Sequence, residues 1–226
     1  MVCENIQSFP LEGYEGNYDD LVLDGLSGNI TKIPKSALPG ISASSIRIVS
    51  FKELTQIESG FLSFEDQTKT LTLAGNDKLR DFPWNDLRNF NSLEFLEVIT
   101  CGFETIPSDI DWPERIERIQ LNSLFELKVI ESNAFSKAKN LKYLDIQNSG
   151  ADLVVKTNGF KTTSKQMKYI SQYSHSTKKV KLEADAFGME SGGELWNSIA
   201  VPSDDFAEDV FRKMLNNAAE SGFTSK

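Results

Sequence analysis

The chain has 226 residues, a formal net charge of −9, 39% hydrophobic residues and 25% charged residues. That balance excludes a disordered chain, and no apolar run reaches the ~20 residues that a membrane-spanning helix needs. So acidic a chain argues against nucleic acid as a partner. His175 is the single histidine and there are two cysteines, so neither a His-based nor a Cys-based metal site has enough ligands. A catalytic triad would have to use His175, which sits among Ser, Thr and Lys, and no Gly-x-Ser-x-Gly elbow accompanies it. Phosphate loops and Gly-x-Gly-x-x-Gly turns are missing as well. The pairs Asp19/Asp20 and Asp204/Asp205 read as solvated carboxylates and a helix start. The chain is expected to be non-enzymatic, with no cofactor and no metal.

Residues 1–17 read as an N-terminal cap, with Ile6, Phe9, Leu11 and Tyr14 available to cover the first coil. A phrase then recurs. Its clearest copy is Leu71-Thr72-Leu73-Ala74-Gly75-Asn76-Asp77-Lys78-Leu79-Arg80-Asp81-Phe82-Pro83. Alternating Leu71 and Leu73 suit a strand buried on one face. Equivalent pairs start at Leu21, Ile46, Leu71, Leu96, Ile119 and Leu144, with a weak copy at Ile170; the spacings are 25, 25, 25, 23, 25 and 26. Such intervals are too short to hold a strand, a full crossover helix and two loops.

Three positions after each pair stand Leu26, Phe51, Asn76, Cys101, Leu124 and Ser149. An Asn here is expected to bond the backbone as it turns between coils, satisfying groups that would otherwise be buried unpaired. Apolar tails come next: Ile33-Pro34, Leu54/Ile57, Leu79/Phe82-Pro83, Phe103/Ile106-Pro107 and Leu127/Ile130. The prolines in these tails predict extended backbone, not helix. Gly60-Phe61 and Ala134-Phe135 close the pattern, and Trp84 and Trp112 read as packing residues.

The phrase resembles the leucine-rich repeat, L-x-x-L-x-L-x-x-N/C-x-L, whose period is about 20–29 residues. That resemblance implies an α/β solenoid, curved, with a parallel β-sheet on the concave face and an irregular or short-helical convex side. The repeats are expected over residues 18–190, about seven in number, the last two degenerate. Residues 191–226 read as a C-terminal cap with an amphipathic helix over 203–220. Ser203 is its N-cap, Asp204 and Asp205 lie in its first turn, and Phe206, Val210, Phe211, Met214, Leu215 and Ala218 share one face.

In each L-x-L pair the flanking residues point away from the core, onto the open face of the sheet. Large apolar and aromatic residues gather there in the later repeats. Phe95, Glu97, Ile99, Arg118, Gln120, Tyr143, Asp145, Tyr169 and Tyr173 therefore form the candidate partner-binding surface. A second candidate is a basic segment: residues 153–182 carry Lys156, Lys161, Lys165, Lys168, Lys178, Lys179 and Lys181 and no acid. Residues 1–31 are the reverse, with six acids and no Lys or Arg. Asn29-Ile30-Thr31 is the one N-glycosylation triplet. Cys3 and Cys101 are separated by about three coils, roughly 15 Å, too far for a disulfide.

Phe82-Pro83-Trp84-Asn85-Asp86-Leu87, with Ala186-Phe187-Gly188, Glu194-Leu195-Trp196, Phe211-Arg212-Lys213-Met214-Leu215 and Gly222-Phe223, resembles secreted arthropod leucine-rich repeat proteins. These are similar to the non-catalytic subunit of Oplophorus-luciferin 2-monooxygenase. The chain departs from them in lacking a Cys-rich C-terminal flank. The resemblance implies an extracellular, non-enzymatic protein that binds or stabilises another. The expected function is capture of a protein or other macromolecular partner on the concave face. Two alternatives stand beside it: a structural subunit stabilising a partner enzyme, and a cytosolic adaptor. Met1-Val2-Cys3-Glu4 lacks the basic and apolar regions of a secretory leader, which fits either a cytosolic chain or a mature fragment.

Overall fold

The computed structural model describes residues 1–4, 6–11, 13–26, 28–61, 67–147, 153–164, 169–173, 181–183 and 186, with backbone alone at 169–173 and 181–182. Its strands, in chain order, are β1 (Val2–Cys3), β2 (Gly16–Asp24), β3 (Lys32–Ile33), β4 (Ile41–Val49), β5 (Gln56–Ile57), β6 (Thr70–Asn76) and β7 (Phe95–Cys101). They continue with β8 (Thr105–Ile106), β9 (Arg118–Asn122), β10 (Val129–Ile130), β11 (Tyr143–Gln147), β12 (Val154–Val155), β13 (Tyr169–Tyr173) and β14 (Lys181–Leu182).

Eight strands form one parallel sheet in the order β1-β2-β4-β6-β7-β9-β11-β13. Short strands form a second side, with β8, β10, β12 and β14 in one sheet and β3 and β5 in another. The chain thus winds as a parallel β-solenoid. Among the described residues the one helix is a 3-10 turn, Trp84–Asn89. The expected α/β class is met only in its parallel sheet: the other side, expected to be irregular or short-helical, is built of short strands and turns. The tails explain this. Their β-branched Ile and Val favour extended backbone, and Pro34 and Pro107 directly follow β3 and β8, where a residue without an N–H ends the pairing.

Register follows the repeat. Leu21 lies opposite Ile46, then Leu71, Leu96, Ile119, Leu144 and Ile170 in turn. Their partners Leu23, Ile48, Leu73, Val98, Leu121 and Ile146 stack in the same way and are all 0% exposed. A slip of one residue would turn this whole row to water, so the hydrophobic pattern enforces the pairing. From the other side Ile33, Ile57, Ile106, Ile130 and Val155 close the core. Between the two sides runs an aromatic series. Trp84 lies 5.2 Å from both Phe82 and Phe103, and Trp112 stacks on Phe135 at 5.7 Å. The buried Trp112 indole N–H donates to the Ala134 carbonyl at 2.8 Å, and both tryptophans are buried against neighbouring rings.

Asn76 is 0% exposed and does what its position predicts. Its Oδ1 accepts from the Phe51 N–H at 3.0 Å and its Nδ2 donates to the Ile48 carbonyl at 2.9 Å. Leu26, assigned to the same inner position, is instead 66% exposed. Its N–H bonds the Asp24 carboxylate at 2.9 Å. The inner space is filled by the Phe51 ring, which packs so closely on Gly25 that a Cβ there would sit 2.2 Å from it. Of the residues expected to cover the first coil, Ile6 is buried and Phe9 and Leu11 pack on the core, but Tyr14 is exposed.

The corners share a feature that the repeat phrase does not announce. At the C-terminal ends of the main strands Ser50, Gly75, Thr100 and Ser123 adopt φ of 62°, 66°, 50° and 54°. At the opposite corners Ser36, Gly60, Asp109, Asn133 and Asn158 do the same, at 53° to 73°. This left-handed backbone aims the amides along the solenoid axis: Ser50 N–H meets the Ala74 carbonyl at 2.9 Å, and Ser36 N–H meets Gly60 at 2.7 Å. Cross-coil ion pairs such as Lys78–Glu53 at 2.6 Å and Lys128–Glu104 at 2.8 Å lie outside the core. Exposed pairs of this kind contribute about 0–1 kcal/mol each. The expected helix over 203–220 and the rest of the C-terminal cap lie outside the described residues.

Candidate binding face on the main sheet

Alternation along each strand sends one row inward and its neighbours outward. Parallel pairing without register slip then stacks the outward residues into columns. One column runs Phe95, Arg118, Tyr143, Tyr169. The next runs Glu97, Gln120, Asp145, Ser171, and the third Ile99, Asn122, Gln147, Tyr173. All nine residues selected from the sequence therefore fall in three adjacent columns over β7, β9, β11 and β13. Arg118 is exposed, Tyr143 is 39% exposed, and Phe95, Glu97, Ile99, Gln120 and Asp145 are half-buried. For Tyr169 and Tyr173 the backbone position alone is described.

Polar groups on this face hold one another. The Arg118 guanidinium carbon lies 5.0 Å from the centre of the Phe95 ring, and its Nη2 donates to Gln120 Oε1 at 3.2 Å. Gln147 Nε2 bonds both Asp145 oxygens, at 2.9 and 3.0 Å, and the Thr72 hydroxyl donates to Glu97 at 3.1 Å. The other arginine of the face, Arg47, is spent inside the molecule. It forms an ion pair with Asp20, whose carboxylate also accepts from the Ser45 hydroxyl at 2.8 Å. The Arg47 hydrogen bond, and then Ser45, hold the Asp20 carboxyl below its usual value. Arg118 has no carboxylate ion-pair partner among the described residues, so its guanidinium is presented rather than neutralised.

A guanidinium braced by one aromatic ring stands beside another, between carboxylates and amides. Among the described residues no group of three or more His, Cys, Asp or Glu is placed to hold a metal ion. Both cysteines are free thiols. Burial pushes the Cys101 thiol up to about 12, and burial raises Cys3 also.

The other sequence-selected residues are not brought together in this way. Lys156 pairs with Glu131 at 2.8 Å, and Lys161 is half-buried. Lys165, Lys168, Lys178 and Lys179 lie outside the described residues, and Lys181 is described by its backbone in β14 alone. Asn29 is exposed, in the segment between β2 and β3. Sequence reasoning did not find an open depression lined by Asp111, Trp112, Glu114, Lys137, Lys139 and Asn140. Its charges are partly satisfied internally: Asp111 binds Lys137 at 2.7 Å and Arg88 at 3.6 Å.

Among the described residues no helix is long and apolar enough to cross a membrane. Comparison with known proteins returned no matching family model and no matching curated protein.

Proposed function

We propose that this solenoid is a leucine-rich repeat scaffold and that it works as a non-enzymatic extracellular binding protein, taking a protein partner on its concave face. The repeat reading is supported by the L-x-L period and by the Asn76 amide between coils. The observation that carries the function is the unbroken column Phe95–Arg118–Tyr143, with Arg118 free of a carboxylate ion pair among the described residues and Tyr143 exposed. Aromatics and arginine dominate binding energy at protein interfaces, and truncating a central one costs about 2 kcal/mol or more. Glu97, Gln120 and Asp145 in the neighbouring column supply the polar groups that fix a partner's orientation.

The test is a pull-down from the extracellular fluid of the source organism, comparing wild type with Phe95→Glu/Tyr143→Glu and identifying retained proteins by mass spectrometry. A protein held by wild type and lost from the variant is the expected result. Identical retention by both, with an unchanged melting temperature, rejects the concave face as the binding surface.

A second reading, a cytosolic adaptor using the same face, is favoured by the two free thiols. Cytosolic proteins keep their cysteines reduced, whereas small secreted domains often pair them. The expected C-terminal helix would serve a third role, as a subunit stabilising a partner enzyme. Deleting residues 203–226 separates that role from capping: lost partner with an intact solenoid favours it, and a collapsed solenoid favours a cap.

A further inference from the structure

From the first coil we infer that Asn29 is an N-glycan acceptor, attached outside the strands that carry the candidate binding face. The chemistry needs an Asn amide and a hydroxyl two residues on, both reachable by the transferase. Asn29 and Thr31 are both exposed, whereas Ile30 between them is buried at 8%. The apolar residue anchors the triplet and leaves the two reacting side chains outside. The Thr31 carbonyl accepts from the Thr55 N–H at 2.8 Å and from the Thr55 hydroxyl at 3.0 Å. That ties the backbone of the triplet to the next coil without using the Asn29 amide or the Thr31 hydroxyl.

In the transfer the Asn29 amide nitrogen bonds the anomeric carbon of a lipid-pyrophosphate-linked oligosaccharide. The anomeric carbon–oxygen bond breaks, the lipid pyrophosphate leaves with the electron pair, and the amide proton passes to the transferase's base. Thr31 supplies the hydroxyl that the transferase recognises.

Placement decides the consequence. Asn29 lies after β2 has left the main sheet and before β3 begins. The aromatic column starts on β7, three strands from β2 in the sheet order; at ~4.8 Å per strand that is roughly 14 Å along the axis. Leu26, 66% exposed, is three residues away, and that length of chain spans at most about 10 Å. The attachment point therefore lies close to the exposed leucine of the first coil and three strands away from Phe95 in the sheet order.

The inference rests on the proposed secretion only for its occurrence in native material, so two arms separate them. In the first, the full chain is directed into the secretory pathway of cultured eukaryotic cells by an added signal peptide. Total cell and medium protein is then treated with peptide-N-glycosidase. A mobility shift in wild type and Thr31→Ser, lost in Asn29→Gln and Thr31→Ala, is expected, with circular dichroism showing all four folded alike. Absence of the shift in folded wild type, or its survival in Asn29→Gln, overturns the inference. In the second arm the peptide holding residues 29–31 is sequenced by mass spectrometry from native protein. Bare Asn29 there, beside a competent site in the first arm, rejects secretion and leaves the acceptor site standing.

Discussion

The Arg118 guanidinium lies over the Phe95 ring at 5.0 Å, although the two residues are on neighbouring strands and 23 positions apart. The parallel register creates this pair, and no local sequence signal encodes it. A cation over a ring at an exposed site contributes about 0.5–1 kcal/mol. A double-mutant cycle on Phe95→Ala and Arg118→Ala, read by urea unfolding, should return a coupling of about that size. A coupling indistinguishable from zero would mean that the arginine is not braced by the ring in solution.

Asn76 is the most exacting polar residue of the core. Replacing it with Leu leaves the Phe51 N–H and the Ile48 carbonyl without their partner. Unsatisfied buried groups cost about 1–3 kcal/mol each, so Asn76→Leu should lower unfolding free energy by about 2–4 kcal/mol despite its added apolar surface. Chemical denaturation decides this; a neutral outcome would show that the amide is dispensable.

Thr100 holds φ of 50°, a region that β-branched residues rarely enter. Thr100→Gly should raise the unfolding midpoint, because the relief of steric cost, about 1–2 kcal/mol, exceeds the added chain entropy of glycine, about 0.5–1 kcal/mol. Gly75→Ala, at φ 66° in the equivalent corner, should act in the opposite direction. If both variants move stability the same way, the corner geometry is not the cause.

Asp20 carries a pH signature. Its folded carboxyl is held below the ordinary value by the Arg47 hydrogen bond first, with Ser45 helping. A depressed carboxylate contributes stability above its unfolded value, about 3.9, and loses it as pH falls through the lower folded value. The Asp20–Arg47 pair is solvent-exposed, so the contribution is small. Following the Asp20 side-chain carbon by NMR should show its titration moving up toward the ordinary range in Arg47→Gln. An unmoved midpoint would remove Arg47 as the cause.

The two thiols should differ in reactivity. Cys101 is buried with its pKa pushed up to about 12, and Cys3 is half-buried. Thiolate is the reactive form, and access limits it further. Iodoacetamide at pH 8 should label Cys3 in the folded protein and Cys101 only in denaturant. Equal labelling of both in native buffer would show that the fourth coil opens readily.

Much of this architecture was legible in the residues. The anchors Leu21, Ile46, Leu71, Leu96, Ile119 and Leu144 meet one another across the sheet because burial of one face penalises any one-residue slip. Ile33-Pro34 and Ile106-Pro107 announced extended backbone for a similarly local reason. The secondary-structure class of the second side was less legible. A two-residue strand has no periodicity of its own, and Lys32–Ile33 becomes a strand only because Gln56–Ile57 lies beside it.

The L-x-L period and its inward and outward alternation were determined by the sequence alone, because side-chain direction in a strand follows from local chirality. Which outward residues are free was decided by tertiary structure. Arg47 and Arg118 look alike in the sequence, yet Asp20 from the preceding coil neutralises the first, while Phe95 supports the second. Leu26 likewise shares the inner position of Asn76 in the phrase, but Phe51 fills that space and Leu26 turns to solvent. In each case the deciding partner is about 25 residues distant in sequence and one coil away in space, where only the folded winding brings the two together.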